Sequence, residues 1–331
     1  MGGMLLKKFG LPEKRINKEE YDKLSCLILS KILEGGYEAE ISKTFKSKPD
    51  YGDVDLIVNV GNGSKPLLDF VKREFHPTPH KNGNVISFPY NNVQIDLVSV
   101  GGANYEVARM YYSYECGMGL GAIFDKLGLK LGWDGLHLKY PLNLISAELP
   151  NHEFFEVSLT KNIDEILDIV GVSKEKLDNG FETRQELFDW LAESKYFDPK
   201  IFNFDELNHR NRTRNKRRAT YCALVKYFKT MTEAKPRPTK AEMRELIISK
   251  YPHVKGKIEE KSVQIIKNKE RAAKFNGNIV RELTGLEGAA LGAFIKAFKE
   301  NYSSSMKFEE FLDCYPADTV KGCILDFWHW R

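Results

Sequence analysis

The chain has 331 residues, with 50 Lys or Arg against 46 Asp or Glu (formal charge +4) and 42% hydrophobic residues. That length suits about two domains. No apolar run approaches the roughly 18 residues a membrane span needs, which excludes a transmembrane protein. Five scattered cysteines (Cys26, Cys116, Cys222, Cys314, Cys323) form no CxxC, arguing against a disulfide framework or a cysteine-rich zinc site and for a reducing, intracellular (cytoplasmic) compartment.

The N-terminus, MGGMLLKKFG, lacks a signal-peptide core, and Leu6 stands where a myristoylation motif after Gly2 wants Ser or Thr. Residues 18–34 read as an amphipathic helix stopped by Gly35-Gly36. The period then changes. Stretches 37–45 and 53–60 alternate as strands, 65–75 reads as a crossing helix, and 85–88 and 93–100 are strands around turns at Asn82-Gly83 and Tyr90-Asn91-Asn92. His76 and His80 fall in a loop between these elements and carry no metal-site spacing of their own.

Helical periodicity follows over about 103–128, 161–170, 183–194, 205–230, 239–250, 257–274 and 278–300, with an extended stretch near 142–158. Residues 234–239, AKPRPT, are the best linker candidate. The closing FWHWR, 327–331, reads as an aromatic anchor folding back on the core. The expected architecture is α+β: an N-terminal helical segment (1–36), a mixed-sheet catalytic part (37–140), a thumb-like α/β segment (141–203) and a helical C-terminal domain (204–331).

The segment YGDVDLIVNV, 51–60, carries the chemistry. Asp53 and Asp55 share one strand face while Val54 and Leu56 pack behind them. Two carboxylates so placed repel unless a cation lies between them. Gly52 permits close approach to the backbone, and Asp96, flanked by Ile95 and Leu97, supplies a third acid if its strand is adjacent. Such oxygen ligands suit Mg²⁺, which also retains substrate phosphates.

These acids, with ISKTFKSKPDYGDVDLIV before them, resemble the nucleotidyltransferase core of the DNA polymerase β superfamily, in particular its family X polymerases. MYYSYECGMGLGAIFDKLGLKLGWDGLHL, 110–138, is similar to the family X segment that follows, so the resemblance covers roughly residues 37–140. It implies a polymerase-β-type palm, two Mg²⁺ ions (or Mn²⁺) and a nucleoside triphosphate substrate. Asp53 and Asp55 would bridge both ions, and Asp96 would bind the catalytic one and help deprotonate a 3′-hydroxyl. Ser42-Lys43 stands where the family has Gly-Ser, with Lys46 near its basic residue; Tyr112-Ser113 stands at the second Gly-Ser, beside Tyr114. Those residues, with Gly52, are the expected nucleotide contacts.

Residues 209–218, HRNRTRNKRR, hold six cations and no acid: Arg210, Arg212, Arg214, Lys216, Arg217 and Arg218. Such a cluster is a natural contact for nucleic-acid phosphates. Glycines 277, 285, 288 and 292 give 276–300 a weaker resemblance to the C-terminal part of bacterial tRNA nucleotidyltransferases and poly(A) polymerases. The leading expectation is therefore transfer of a nucleoside monophosphate from a (d)NTP to a nucleic-acid 3′-hydroxyl, with dNTPs and a DNA primer preferred. The alternatives are RNA 3′-end extension, nucleotidylation of a small molecule or protein, and an inactive nucleic-acid-binding relative.

Overall fold

The computed structural model describes residues 4–61, 63, 65–302 and 306–330. Gly2 and Arg331 lie outside the described residues. The fold class is α+β, and the chain divides into two compact units, Met1–Tyr251 and Pro252–Arg331. The boundaries expected at 36, 140 and 203 all fall inside the first unit, and the C-terminal domain expected from 204 divides at Tyr251.

The first unit begins with a 3-10 turn, Met4–Phe9, and a two-residue strand β1 (Ile16–Asn17). Helix α1 (Lys18–Glu34) is fixed at its start by a capping box, in which Asn17 accepts from the Glu20 N–H while the Glu20 side chain accepts from the Asn17 N–H. Strands β2 (Glu38–Ile41), β3 (Asp50–Tyr51) and β4 (Asp53–Asn59) follow, then α2 (Lys65–Glu74), β5 (His80–Asn82), β6 (Val85–Tyr90) and β7 (Val93–Val100). Five of these form a sheet in the order β2-β4-β7-β6-β5, and β1 pairs with β3 separately. Within the large sheet β4 and β7 run parallel; every other pairing is antiparallel.

Strand parity sorts the sheet's two faces. Val54, Leu56 and Val58 of β4, with Ile95 and Leu97 of β7, join α1 and α2 side chains in one buried cluster. Ile57, Val98 and Val100 point the other way, against Tyr105 and Ala108 of helix α3 (Tyr105–Tyr112). The acids at 53, 55 and 96 share the parity of this second face. The β6–β7 turn is made by Asn91 and Asn92, both left-handed (φ 51 and 60), the pairing expected of a tight hairpin.

The helix expected over 103–128 is interrupted. Between α3 and α4 (Cys116–Lys126), Tyr114 and Glu115 take left-handed backbone at φ 52 and 59. A hairpin, β8 (Leu129–Gly132) and β9 (Gly135–Pro141), adds two strands beyond those expected; its turn needs Gly135, at φ 123, where a Cβ would meet the Thr160 carbonyl. Strand β10 (Phe154–Thr160) completes a three-stranded meander with them, later than the extended stretch expected at 142–158.

Helices α5 (Ile163–Val170), α6 (Lys174–Asn179) and α7 (Arg184–Ala192) follow. The helix expected over 205–230 is two, α8 (His209–Asn215) and α9 (Ala219–Phe228). Like charges four apart, Arg210, Arg214 and Arg218, disfavour one continuous helix there. Residues 234–239 are extended but tethered: Lys235 Nζ donates to the carbonyls of Ala192, Glu193 and Ser194 at 2.8, 3.0 and 2.9 Å, satisfying the end of α7. Helix α10 (Lys240–Lys250) closes the unit.

The second unit is all helical: α11 (His253–Lys274), α12 (Gly277–Thr284), α13 (Gly288–Tyr302), α14 (Phe308–Cys314) and α15 (Ala317–His329). Its core is aromatic, with Phe275, Phe294, Phe298, Phe308 and Phe311 buried together. Phe327 and Trp328 pack on Phe294, as the closing anchor was expected to do, whereas Trp330 is 90% exposed. His76 lies edge-on to Phe9, and His80 meets Lys8, so neither histidine faces the other as a metal pair.

Candidate active site

Asp55 and Asp96 are direct register partners on the parallel strands β4 and β7, and Asp53 is two residues before Asp55 on the same face. Carboxylate oxygens of all three lie within 4.8 Å of one another. They open into a cavity of about 440 Å³ bordered by strand ends, the 42–48 loop, the Tyr111–Glu115 bend and the start of α9.

Burial and mutual repulsion decide the electrostatics. Asp55 is held well above the ordinary carboxylate range, first by burial and then by Asp53 and Asp96. Burial also raises Asp53, against the opposing pull of Lys48 and Arg15. Asp96 is pushed up to about 6 by burial and Asp53, with the Ser87 hydroxyl and the Gln94 amide working the other way. Three acids this close favour a shared cation over three protons near neutral pH. One buried oxygen, Asp96 Oδ1, has no hydrogen-bond partner, as a ligand atom for a divalent ion would be left. The donor set is all oxygen, so these residues fit Mg²⁺ or Mn²⁺.

Most of the expected nucleotide contacts gather here: Ser42, Lys43, Gly52, Tyr112 and Tyr114 all line the cavity. Their roles differ from the expectation in places. Ser42 is buried, and its hydroxyl donates to the Tyr112 carbonyl at 3.3 Å, so it ties the loop to the bend. Tyr114 is wedged between Phe45 and Phe181 (ring centroids 5.7 and 5.1 Å) and only 6% exposed, which commits its ring to packing. Lys46 lies outside the cavity beside Glu182, 3.9 Å away. Ser113 is buried and borders a smaller cavity of about 120 Å³ on the other side of the bend.

The basic segment divides in the same way. Arg214 and Arg218 border the cavity. Arg218 is held below its ordinary value by burial and by the like charge of Arg214, with Glu115 offsetting part of this. Two guanidiniums at one cavity border have the chemistry that suits an anion. Arg212 is a brace instead, donating to the carbonyls of Phe204, Asp205 and Leu207 at 2.9, 3.3 and 3.1 Å. Lys216 sits over the Phe204 ring, while Arg210 and Arg217 are exposed away from the cavity.

Several bordering residues carry no signal that the sequence reading used: Arg15, Lys48, Gln94, Tyr111, Glu115 and Arg184. Arg15 and Arg184 arrive from distant parts of the chain and belong to no local motif. Lys48 lies in the segment just before the acids; it sits 4.6 Å from the centroid of Tyr51. Gln94, two before Asp96 and so on the same strand face, was the one legible signal.

No family model matches this chain, and no curated protein matches it.

Proposed function

We propose that the chain is a divalent-metal-dependent nucleotidyltransferase that adds a nucleoside monophosphate from a (d)NTP to a nucleic-acid 3′-hydroxyl. The observation that carries this reading is the meeting of Asp53, Asp55 and Asp96 at one end of a cavity whose border also bears Arg214 and Arg218. Acids that demand cations and cations that demand an anion, in one cavity, suit a metal-bound polyphosphate.

Asp53, Asp55 and Asp96 would hold the ions, which supply Lewis-acid polarisation of the α-phosphate and acidify the attacking hydroxyl. The residues do the rest. The hydroxyl oxygen attacks the α-phosphorus, the bond to the β-phosphate oxygen breaks, and pyrophosphate leaves. Asp96 would accept the hydroxyl proton as the bond to phosphorus forms. Arg214 and Arg218, which border the cavity, would neutralise the polyphosphate and its leaving group. With Tyr114 committed to packing, Tyr111 and Tyr112 are the rings available to a sugar or base. A tyrosine against the ribose excludes a 2′-hydroxyl, which favours dNTPs by an amount typical of small-group discrimination, about 1–3 kcal/mol.

The test is incubation with Mg²⁺ and each labelled triphosphate in the presence of primer-template DNA, single-stranded DNA or bulk tRNA. Extension of a DNA primer supports the leading reading. CMP or AMP addition to tRNA alone would replace it with RNA 3′-end extension. No transfer to any of these acceptors would overturn it.

A further inference from the structure

Asp96 is not held by its strand alone. Gln94 lies on the same face of β7, is 8% exposed and borders the cavity. Its Nε2 donates to Asp96 Oδ2 at 2.8 Å. Its Oε1 accepts from the backbone N–H of Leu5 at 3.0 Å. A backbone N–H can only donate, so it fixes which end of the amide faces it. The amide nitrogen is thereby directed at the carboxylate. Oδ2 is then occupied while Oδ1 is buried and without a partner, and a carboxylate oxygen of Asp96 lies within 4.8 Å of those of Asp53 and Asp55. Leu6, 1% exposed, anchors the N-terminal turn that supplies the N–H.

We infer that Gln94 is a positioning residue for the metal centre: clamped by the Leu5 N–H, it fixes the carboxylate of Asp96 so that one oxygen is presented to the ion. This rests on reading the acids as a metal site. A neutral amide suits the task, because it orients the carboxylate without cancelling the charge that attracts the cation. A Lys or Arg in its place would compete with the ion for Asp96. The N-terminal turn, distant in sequence from every acid, thereby becomes part of the site's outer shell, the layer that orients metal ligands.

The experiment measures Mn²⁺ binding by electron paramagnetic resonance on the full chain without nucleotide. Gln94→Met keeps length and volume but removes both hydrogen bonds; it is expected to weaken Mn²⁺ about tenfold, the low end for missing outer-shell partners. Leu5→Pro removes only the clamping N–H at the start of a helical turn, where proline is tolerated, and should weaken Mn²⁺ severalfold. Both losses should vanish when Asp96→Asn is also present, because a residue acting through Asp96 has nothing left to act on. A merely structural role would give equal losses in either background. Were Gln94→Met to fail to fold by circular dichroism, Leu5→Pro alone would decide. Wild-type affinity in these variants, or undiminished losses in the Asp96→Asn background, would overturn the inference while leaving the metal site standing. Absence of Mn²⁺ binding by the wild-type chain would overturn the metal reading itself, and this inference with it.

Discussion

Asp55 and Asp96 stand directly opposite each other on two parallel strands, a pairing that costs the fold free energy in the absence of a cation. Like charges facing each other across a strand pair destabilise it, and burial adds to the penalty.

Removing one of them should therefore help the metal-free protein. Asp55→Asn is expected to raise the melting temperature without metal by about 2–4 °C, as roughly 1 kcal/mol of repulsion is relieved. The same variant should lose the melting-temperature rise that Mn²⁺ gives the wild type, and all transfer activity. Differential scanning fluorimetry with and without Mn²⁺ checks this; a destabilised metal-free variant would contradict it.

The pH dependence has an unusual sign. Carboxyls held above their unfolded value bind protons more tightly in the native state, so the stability these acids contribute without metal is fully present below their unfolded value. It is lost as pH rises through about 6, the value for Asp96. Mn²⁺ affinity should move oppositely, increasing up to about pH 7 as protons cease to compete. Melting curves between pH 4 and 8, with and without Mn²⁺, should cross; parallel curves would exclude this electrostatic account.

The basic segment should separate into two functions. Arg214→Ala and Arg218→Ala, at the cavity border, are expected to raise the KM for triphosphate about tenfold or more, since each removes a charge-assisted hydrogen-bond donor. Arg210→Ala with Arg217→Ala, exposed elsewhere, should leave that KM alone and flatten the salt dependence of nucleic-acid binding, by roughly one unit of slope for each phosphate no longer engaged. Titrations at several salt concentrations distinguish the pairs. Identical behaviour of the two pairs would show that the cavity does not divide the cluster.

Two of the tyrosines expected as nucleotide contacts, Tyr112 and Tyr114, should part company. Tyr112→Ala should relax discrimination against NTPs. Tyr114→Ala empties a packed position between Phe45 and Phe181 and should cost about 3–5 kcal/mol of stability, with sugar preference unmoved. Denaturant melts and paired dNTP/NTP kinetics report both.

The acids were legible because strand parity is strict: a polar residue repeating every second position in an apolar run can only share a face. The hairpin turns were legible for the same local reason, since Asn82-Gly83 and Asn91-Asn92 carry their backbone preference with them. The β8–β9 hairpin is equally written in the sequence, as LKL and LHL around Asp134-Gly135, but each of these runs is only three residues long. Arg15, Arg184 and the Leu5 N–H were not legible, because they reach the site by tertiary folding alone. The division of the basic cluster was hidden too: Arg212 and Arg214 differ only in what the helix turns them toward.

Tyr114 and Glu115 occupy left-handed backbone in succession, with no glycine to make it cheap. Each such residue costs about 1–2 kcal/mol. The Tyr114 N–H bonds to the Lys43 carbonyl at 2.8 Å, and the Glu115 carboxylate accepts from Thr220 Oγ1 at 3.0 Å, so the bend is held from both sides of the cavity. For protein engineering this marks where durability and performance trade against each other. Glu115→Asn, better suited to that backbone, is the substitution a stability screen would select, and an activity screen would reject it for loosening the bend from α9.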